Sequence, residues 1–286
     1  MNKGTDPKLS VIIPTHNRKK VLERVLDYLS NQKIEAPCEI LVIDDGSEDN
    51  THQMVKKFPL VRYFKYDKKG QSFARNVGIK ESRGEILIFV DSDIFVKPNF
   101  LAAHLDYQMR FDRVLVQGPV IRIYDIEHPF DARQKLSDFS SAFFDTCNSS
   151  IKKKHLLEAG YFDEEFTQYG WEDLELGTRI KNMGIKLKKN PKAAAYHLQK
   201  EFMLDSIDYQ VEKEKARAAG AFIYYKKHPT NEVRLATHIG GPLHIIDKLF
   251  FNYFEGLKNK VNDSEFKRRT YLLHVYLKEL RRIENG

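Results

Sequence analysis

Residues 85–93 read EILIFVDSD, a short apolar run that ends in two carboxylates. The first six residues are rich in branched side chains, which indicates a buried β-strand. Burying acids in an apolar core is costly, so Asp91 and Asp93 are expected to face a cleft. Residues two apart in an extended chain project to the same side, so both carboxylates can point at one divalent cation. A turn capped by aspartate is the more frequent source of such a triplet, and the rest of the chain must decide between the two.

Strands and helices alternate through the first third of the chain. Apolar runs predict strands at 9–13, 39–43, 60–65 and 85–90. Helical patterns follow at 17–29, with Asn17 as the predicted cap, then up to about residue 57, and at 73–81. This alternation predicts right-handed crossovers and a mostly parallel sheet that binds its ligands at the carboxyl ends of the strands.

Three of these strand ends carry polar side chains. They are residues 14–17 (PTHN), 44–47 (DDGS) and 91–93 (DSD). One such end is ordinary turn chemistry, but three on one edge of a sheet indicate a ligand site. The chain has no Gly-x-Gly-x-x-Gly after the first strand and no Walker-type lysine loop. Any phosphate is therefore expected to be bound through a metal ion and basic side chains.

Composition limits the classes of protein that remain. The chain has 286 residues, of which 42% are hydrophobic, enough for one large domain or one domain with an appendage. Its two cysteines provide neither a disulfide framework nor a zinc site. The net charge of +7 favours an anionic partner such as a nucleotide, an acidic membrane surface or nucleic acid. The sequence contains no membrane-spanning run and no signal peptide, which predicts a cytoplasmic protein or one at the inner face of the membrane.

Four sequence blocks, in this order, resemble the nucleotide-sugar-binding half of glycosyltransferase family 2. They are residues 11–15 (VIIPT), 43–47 (IDDGS), 70–78 (GQSFARNVG) and 89–93 (FVDSD). The resemblance extends from about Leu9 to His197. It implies an α/β protein with the GT-A fold, in which helices flank a mostly parallel central sheet, followed by a C-terminal helical extension.

The resemblance implies a role for each matching position on the donor side. The nucleotide-binding positions are Pro14, Thr15, Asp44, Arg75, Asp91 and Ser92. Among them, Asp44 would accept a hydrogen bond from the uracil ring, and Arg75 would steady the pocket or the diphosphate. Asp93 would bind Mn²⁺ or Mg²⁺. From the residues alone, a helix-surface ion pair of Arg75 with Asp44 or Asp91 is the competing interpretation.

The stretch 169–180 (YGWEDLELGTRI) predicts a helix whose first turn holds Glu172 and Asp173, where the helix dipole stabilises anions. By itself this is an ordinary capped helix start. It resembles the acceptor-binding block of galactosyl- and N-acetylgalactosaminyl-transferring members, which implies that Asp173 is the catalytic base and that Glu172 binds acceptor hydroxyls. Trp171 is either a platform for a sugar ring or part of the core. Asn148 is placed in the sugar pocket by the same analogy.

His197 ends a short apolar segment, 193–197. A histidine at a strand end is commonly a hydrogen-bonded structural residue. The resemblance implies instead that His197 is the second protein ligand of the metal, a nitrogen donor that suits Mn²⁺ better than Mg²⁺. The implied reaction is a single in-line displacement that inverts the anomeric configuration.

The predicted domains are a catalytic domain at 1–200, with a donor half at 1–115 and an acceptor half at 116–200, and a helical extension at 201–286. The extension is predicted to form helices at 204–227, 243–258 and 266–282. Packing of their apolar faces on the catalytic domain is favoured over contact with a membrane surface.

Together these features predict a metal-dependent inverting glycosyltransferase. Its donor would be a UDP-sugar of the Gal, GalNAc, Glc or GlcNAc type, and its acceptor a hydroxyl of a glycan, a lipid-linked sugar or another molecule. Surface or secreted glycan synthesis is the expected setting, without a nucleic-acid partner. A nucleotidyltransferase and a non-catalytic sugar- or nucleotide-binding protein are the alternatives. The sequence predicts no oligomeric state.

Overall fold

A computed structural model describes residues 6–167, 170–199 and 204–285. Within these ranges the chain forms ten strands and eleven α-helices. The strands are β1 (Leu9–Thr15), β2 (Cys38–Asp45), β3 (Val61–Tyr66), β4 (Ile86–Phe89), β5 (Ile94–Val96), β6 (Val114–Gln117), β7 (Val120–Ile123), β8 (Ser149–Lys152), β9 (Lys186–Lys189) and β10 (Ala195–Leu198).

The helices alternate with the strands at first and follow one another at the end. They are α1 (Lys19–Ser30), α2 (Thr51–Val55), α3 (Gln71–Glu81), α4 (Phe100–Arg110), α5 (Lys153–Ala159), α6 (Glu172–Asn182), α7 (Ile207–Lys227), α8 (Asn231–Thr237), α9 (Pro242–Leu249), α10 (Phe251–Gly256) and α11 (Glu265–Asn285).

Seven strands form the main sheet, in the order β3-β2-β1-β4-β8-β6-β9. The first four run parallel to one another, β8 is antiparallel to both of its neighbours, and β9 is parallel to β6. The prediction of an α/β fold with a mostly parallel central sheet is confirmed. Because β1 and β2 are buried along their whole length, both read as continuous apolar runs rather than alternating ones.

A second sheet has three strands, in the order β5-β10-β7. Strand β10 is antiparallel to β5, and His197 lies opposite Ile94. This pairing brings together two segments that lie about one hundred positions apart in the sequence, the end of the DSD triplet and the histidine.

The predicted cap of α1 is wrong. Asn17 has a positive φ of 51°, and the helix begins at Lys19, whose backbone N–H donates to the Asp49 carboxylate over 2.8 Å. Asn17 joins two loops instead: its N–H donates to Ser47 Oγ, and its side-chain oxygen accepts from the N–H of Glu48, both over 2.8 Å. A side chain from thirty residues away therefore replaces the local cap, which a local sequence pattern cannot show.

Other predicted boundaries move by a few residues. Strand β1 continues through Pro14 to Thr15. The helix expected at 243–258 is divided into α9, α10 and a 3-10 turn, because the backbone leaves the helical region at Phe250, with φ −106° and ψ 24°.

The chain divides into two compact units. Unit 1 comprises Met1–Glu164 and Asp173–Gln199, and unit 2 comprises Glu165–Glu172 and Lys200–Gly286. Unit 1 holds both sheets and most of the predicted site residues. Unit 2 holds helices α7 to α11, whose interior includes Leu257, Tyr271 and Tyr276. No helix in the described ranges is long and apolar enough to cross a membrane.

Candidate active site

Asp93 and His197 lie side by side in unit 1. Asp93 directly precedes β5, and His197 lies on the paired strand β10. Oδ1 of Asp93 is 3.4 Å from Nε2 of His197. Two residues that the sequence assigned separately to a metal site are thus brought together by the second sheet.

A third charged group, Arg18, completes this cluster. Its guanidinium donates to Oδ2 of Asp93, and the Arg18 side chain is half exposed while Asp93 is buried. Burial would raise the pKa of Asp93, but the hydrogen bond and charge of His197, with the charge of Arg18, hold that pKa below its ordinary value. Sequence reasoning missed Arg18, although its place just beyond β1, at the ligand-binding edge, was a usable signal.

The donor set fits a divalent cation that is shared with a substrate. One carboxylate oxygen and one imidazole nitrogen 3.4 Å apart have the spacing of two adjacent ligands around one ion, at about 2.1 Å from each. Among the described residues, no group of three or more His, Cys, Asp or Glu side chains gathers to hold an ion. An ion bound by these two side chains would take its remaining ligands from a substrate or water, as is usual for metals that bind phosphate.

Gln199 sets which nitrogen of His197 carries the proton. Its side-chain amide nitrogen lies 2.8 Å from Nδ1 of His197 and donates to it. The ring proton is then on Nε2, which faces the Asp93 carboxylate, and a metal ion bound between the two side chains would replace that proton. Gln199 belongs to no sequence motif. It lies two residues after His197, directly beyond the end of β10, and residues two apart in an extended chain project to the same side.

Asp91 is held by two side chains. Nη2 of the buried Arg75, on α3, donates to Oδ1 of Asp91 over 3.2 Å, and Sγ of Cys147 donates to Oδ2 over 3.2 Å. Burial, reinforced by the charge of Asp91, raises the pKa of the Cys147 thiol, which therefore stays protonated as a donor. The Arg75 guanidinium also lies 5.6 Å from the centre of the Phe162 ring. The ion pair that the competing interpretation expected is present, and it fixes the orientation of Asp91.

Thr15 and Asp44 lie opposite each other on the adjacent parallel strands β1 and β2. Asp44 is fully buried: Oδ1 accepts from the Ser47 N–H over 2.7 Å, and Oδ2 accepts from the Tyr63 hydroxyl. Burial and the neighbouring Asp44 raise the pKa of Tyr63, so it remains a donor. Thr15 Oγ1 is buried and has no hydrogen-bond partner among the described residues. A buried hydroxyl left this way costs about 1–3 kcal/mol, which a bound ligand would recover.

Asp45 fixes the loop that leads into α3. Its two carboxylate oxygens accept from the backbone N–H groups of Lys69, over 2.6 Å, and Gly70, over 2.9 Å. Gly70 has a φ of 99°, a conformation that side chains other than glycine rarely adopt. The position of Arg75 one turn into α3 therefore depends on Asp45, which the sequence placed in a block but gave no role.

Asn148 lies in the interior of unit 1, fully buried. Its amide nitrogen donates to the carbonyls of Pro119, over 3.0 Å, and Ala193, over 2.8 Å, and its oxygen lies 3.0 Å from Nε2 of His104. Burial lowers the pKa of His104 to about 4, so the ring is neutral near pH 7. Both ends of the Asn148 amide are engaged by the protein, and they tie β8 to the segment that leads to His197.

The acidic helix start is formed as predicted. Glu172 and Asp173 occupy the first turn of α6. Glu172 is buried, whereas Asp173 is half-buried, with its carboxylate accepting from the Leu174 N–H over 2.8 Å. Of these two acids, Asp173 has the more accessible carboxylate.

Trp171 precedes this helix with a φ of 78°. Its indole N–H donates to the carbonyl of Arg217 over 2.7 Å, and its ring centre lies 5.9 Å from that of Tyr224. All three residues belong to unit 2, and the Trp171 side chain is buried there. This packing corresponds to the core alternative that the sequence left open for Trp171.

Residues 10–163 match the family model described as glycosyl transferase family 2. The chain is 28% identical to the uncharacterized glycosyltransferase YfnE of Bacillus subtilis (strain 168), over 94% of this chain and 83% of that protein. It is also 28% identical to the GalNAc(5)-diNAcBac-PP-undecaprenol beta-1,3-glucosyltransferase of Campylobacter jejuni, over 80% of this chain and 76% of that protein.

The chain is also similar to much longer proteins and to a solved structure. The chain spans only 34% and 28% of the chondroitin synthases of Escherichia coli and Pasteurella multocida that it also matches. The mannosyltransferase PcManGT from Pyrobaculum calidifontis, solved in complex with GDP-Man and Mn²⁺, superposes with a TM-score of 0.61. That match covers 97% of this chain and 86% of the other at 17% identity, and it shows the shared GT-A fold.

Proposed function

The chain belongs to glycosyl transferase family 2, and from that premise we propose that it moves a sugar from a UDP-sugar to an acceptor hydroxyl in a metal-dependent, inverting reaction. The observation that carries this proposal is the 3.4 Å approach of the Asp93 carboxylate to the His197 imidazole. In a family whose donors are nucleotide sugars, such a pair of oxygen and nitrogen donors is suited to a phosphate-bound cation.

Asp93 and His197 would hold the ion, Mn²⁺ in preference to Mg²⁺. When bound, the ion supplies positive charge against the diphosphate as it leaves. Arg18, which pairs with Asp93 in this structure, would provide a second cation for the diphosphate. PcManGT was solved with Mn²⁺, which supports a divalent ion here.

The nucleotide would lie over the carboxyl ends of β1 and β2. Thr15 contributes its unpaired buried hydroxyl, and Asp44 contributes a carboxylate that is already oriented by Tyr63. Pro14 lies next to Thr15 at the same strand end, while Ser92 lies between the two acids of the DSD triplet. Arg75 acts on the nucleotide by orienting Asp91, which faces the nucleoside.

Asp173 is the proposed general base. Its carboxylate accepts the proton of the acceptor hydroxyl while that oxygen bonds to the anomeric carbon and the bond from this carbon to the diphosphate oxygen breaks. Attack from the face opposite the leaving group inverts the configuration. Glu172 is proposed to orient the acceptor hydroxyls. Asn148 is proposed to support the site in unit 1 from within, held by its hydrogen bonds to the backbone carbonyls of Pro119 and Ala193.

The acceptor class is proposed from the relatives. The name of the Campylobacter jejuni relative specifies a lipid-linked glycan as its acceptor, and the chondroitin synthases make a polysaccharide. We therefore propose a growing glycan, free or lipid-linked, as the acceptor, and a role in surface or secreted glycan synthesis at the cytoplasmic side of a membrane. Fractionation of cells into cytosol and membranes tests the location.

A donor panel tests the reaction. The protein is incubated with Mn²⁺ and UDP-Gal, UDP-GalNAc, UDP-Glc, UDP-GlcNAc or GDP-Man, and release of nucleoside diphosphate is measured. We expect release from at least one UDP-sugar and a fall in kcat of about 10²–10⁴ in Asp173→Asn, with UDP affinity unchanged. Asp106→Asn, which neutralises a partly exposed acid that pairs with Arg110 on α4, is the matched control. No release in any mixture, together with no effect of Asp173→Asn, would contradict the proposal.

A further inference from the structure

Unit 2 exposes a row of large apolar side chains on α9 and α10, which we call the apolar stripe. It consists of Ile245, Ile246, Leu249, Phe250 and Tyr253. Each of these residues is between 46% and 74% exposed. Spacings of four residues, from 245 to 249 and from 246 to 250, keep the first four side chains on one side of α9, and Tyr253 follows on α10, beyond the break at Phe250. The sequence favoured packing of the apolar faces of the extension on the catalytic domain over contact with a membrane surface.

The two carboxylates nearest the stripe in sequence are engaged in ion pairs within unit 2. Asp247, on α9, is buried and paired with Nδ1 of His274 over 2.7 Å and with Arg281 over 2.5 Å. Glu255, on α10, is paired with Lys278 over 2.5 Å. The exposed face of α9 and α10 therefore presents apolar groups without a free carboxylate.

A basic groove of about 410 Å³ borders the stripe. The groove is lined by Lys248, Phe251, Lys278, Arg281, Arg282 and Asn285. The last four lie three to four residues apart on α11 and so share one face of that helix. Lys248 lies next to Leu249 of the stripe, and it forms no ion pair with any described residue. From 242 to 285 the sequence holds nine lysines and arginines against six carboxylates.

We propose that the apolar stripe and the basic groove together dock unit 2 on an anionic membrane surface. The Ile, Leu and aromatic side chains enter the boundary between headgroups and acyl chains, and the lysines and arginines contact lipid phosphates. Helices α9 and α10 lie in the plane of the surface and do not cross it, in keeping with their lengths of eight and six residues.

Charge favours a membrane over a second copy of the chain as the occupant. A symmetric dimer through the stripe would place two identical patches face to face, which brings the basic groove of one copy close to that of the other. Lys278, Arg281 and Arg282 each have a carboxylate partner within unit 2. The attraction to an anionic bilayer therefore comes from Lys248 and from the excess of three positive charges over 242–285, while the bilayer covers the apolar residues.

Sedimentation with lipid vesicles tests this inference without using enzyme activity, so its outcome is separate from that of the proposed function. The full-length protein is mixed with vesicles of phosphatidylcholine alone or with about 30% phosphatidylglycerol at low and high salt. We expect binding to the anionic vesicles only, and weaker binding at high salt. Leu249→Ser with Phe250→Ser is expected to weaken binding at least about tenfold, and Lys248→Glu with Arg282→Glu to a similar degree.

Matched variants separate docking from unfolding. Leu235, on α8, is 74% exposed like Leu249 but lies outside the stripe, so Leu235→Ser is expected to bind as the wild type does. Lys226→Glu is the charge control, and circular dichroism confirms that each variant is folded. The proposal is overturned when the wild type ignores anionic vesicles, or when stripe variants bind them unchanged. A dimer that Leu249→Ser dissociates, without vesicle binding, identifies the stripe as a subunit interface and also overturns it.

Discussion

At the scale of single residues, the two acids of the DSD triplet have different surroundings. Asp91 is paired with Arg75 and accepts from the thiol of Cys147, whereas Asp93 is paired with Arg18 and lies beside His197. Each of the two carboxylates is therefore paired with a different cation, Asp91 with Arg75 and Asp93 with Arg18. The proposed division of roles, Asp91 toward the nucleoside and Asp93 toward the metal, follows from these different partners.

Glu39 makes a pH-dependent contribution to stability. Burial would raise its pKa, but hydrogen bonds from Ser10, over 2.6 Å, the Arg83 N–H, over 2.6 Å, and Arg62, over 2.7 Å, lower that pKa below 4.5. Because the pKa of Glu39 is lower in the folded than in the unfolded protein, its ionised form stabilises the fold at any pH above the unfolded-state pKa. This stabilisation is lost as the pH falls through the folded-state pKa. We expect Glu39→Gln to lower the free energy of unfolding by about 1–3 kcal/mol at pH 7 and by clearly less near pH 3. Urea denaturation at both pH values checks this, and an equal loss at both would contradict it.

At the scale of elements, the sequence predicts well where a strand is buried on both sides. The apolar runs of β1, β2 and β4 and the polar residues at their ends correspond to what the structure shows, because a fully buried parallel strand leaves a continuous apolar signal. Side chains that reach the site from distant parts of the sequence leave no such pattern. Tyr63 reaches Asp44 from a neighbouring strand, and Asp49 caps α1 from thirty residues away.

The contact between α3 and β1 requires a glycine at position 78. A Cβ added there would lie 2.4 Å from Cγ2 of Ile12. Gly78→Ala is therefore expected to lower the free energy of unfolding by about 1–3 kcal/mol. Gly256, on α10, has no heavy atom within 4 Å of a built Cβ and a φ of −63°, so Gly256→Ala should be neutral or slightly stabilising. Thermal unfolding of both variants measures the difference, and equal melting temperatures would refute the close packing.

The network around Asn148 positions the strand that carries His197. Asn148→Ala leaves the carbonyls of Pro119 and Ala193 without their donor. We expect the Mn²⁺ concentration for half-maximal activity to rise several-fold, with a smaller change in kcat. Gln108→Ala removes another buried amide, one that donates to the Ser150 carbonyl and, within the described part of the chain, makes no hydrogen bond to the segment before β10. It should lose similar stability and keep the wild-type Mn²⁺ response, and an equal shift in both variants would assign Asn148 a purely structural role.

At the scale of the whole molecule, the resemblance of the sequence to a known family predicted the GT-A fold. The exposure of apolar side chains on unit 2 is visible only in the structure. Helical periodicity marks α9 and α10 as amphipathic without showing whether their apolar face is covered. Leu249 and Phe250 are exposed in the folded chain, and this exposure, rather than the periodicity, carries the membrane inference.

The central claim is a nucleotide site that needs a cation held by Asp93 and His197, and calorimetric titration of UDP with and without Mn²⁺ tests it most directly. UDP should bind at least about tenfold tighter with Mn²⁺ than without it, and more tightly than GDP, ADP or CDP. Asp93→Asn should abolish the gain from Mn²⁺ and leave the weaker, metal-independent binding of UDP in place. UDP binding that Mn²⁺ does not change, or a UDP affinity no greater than that of the other nucleotides, would contradict the account.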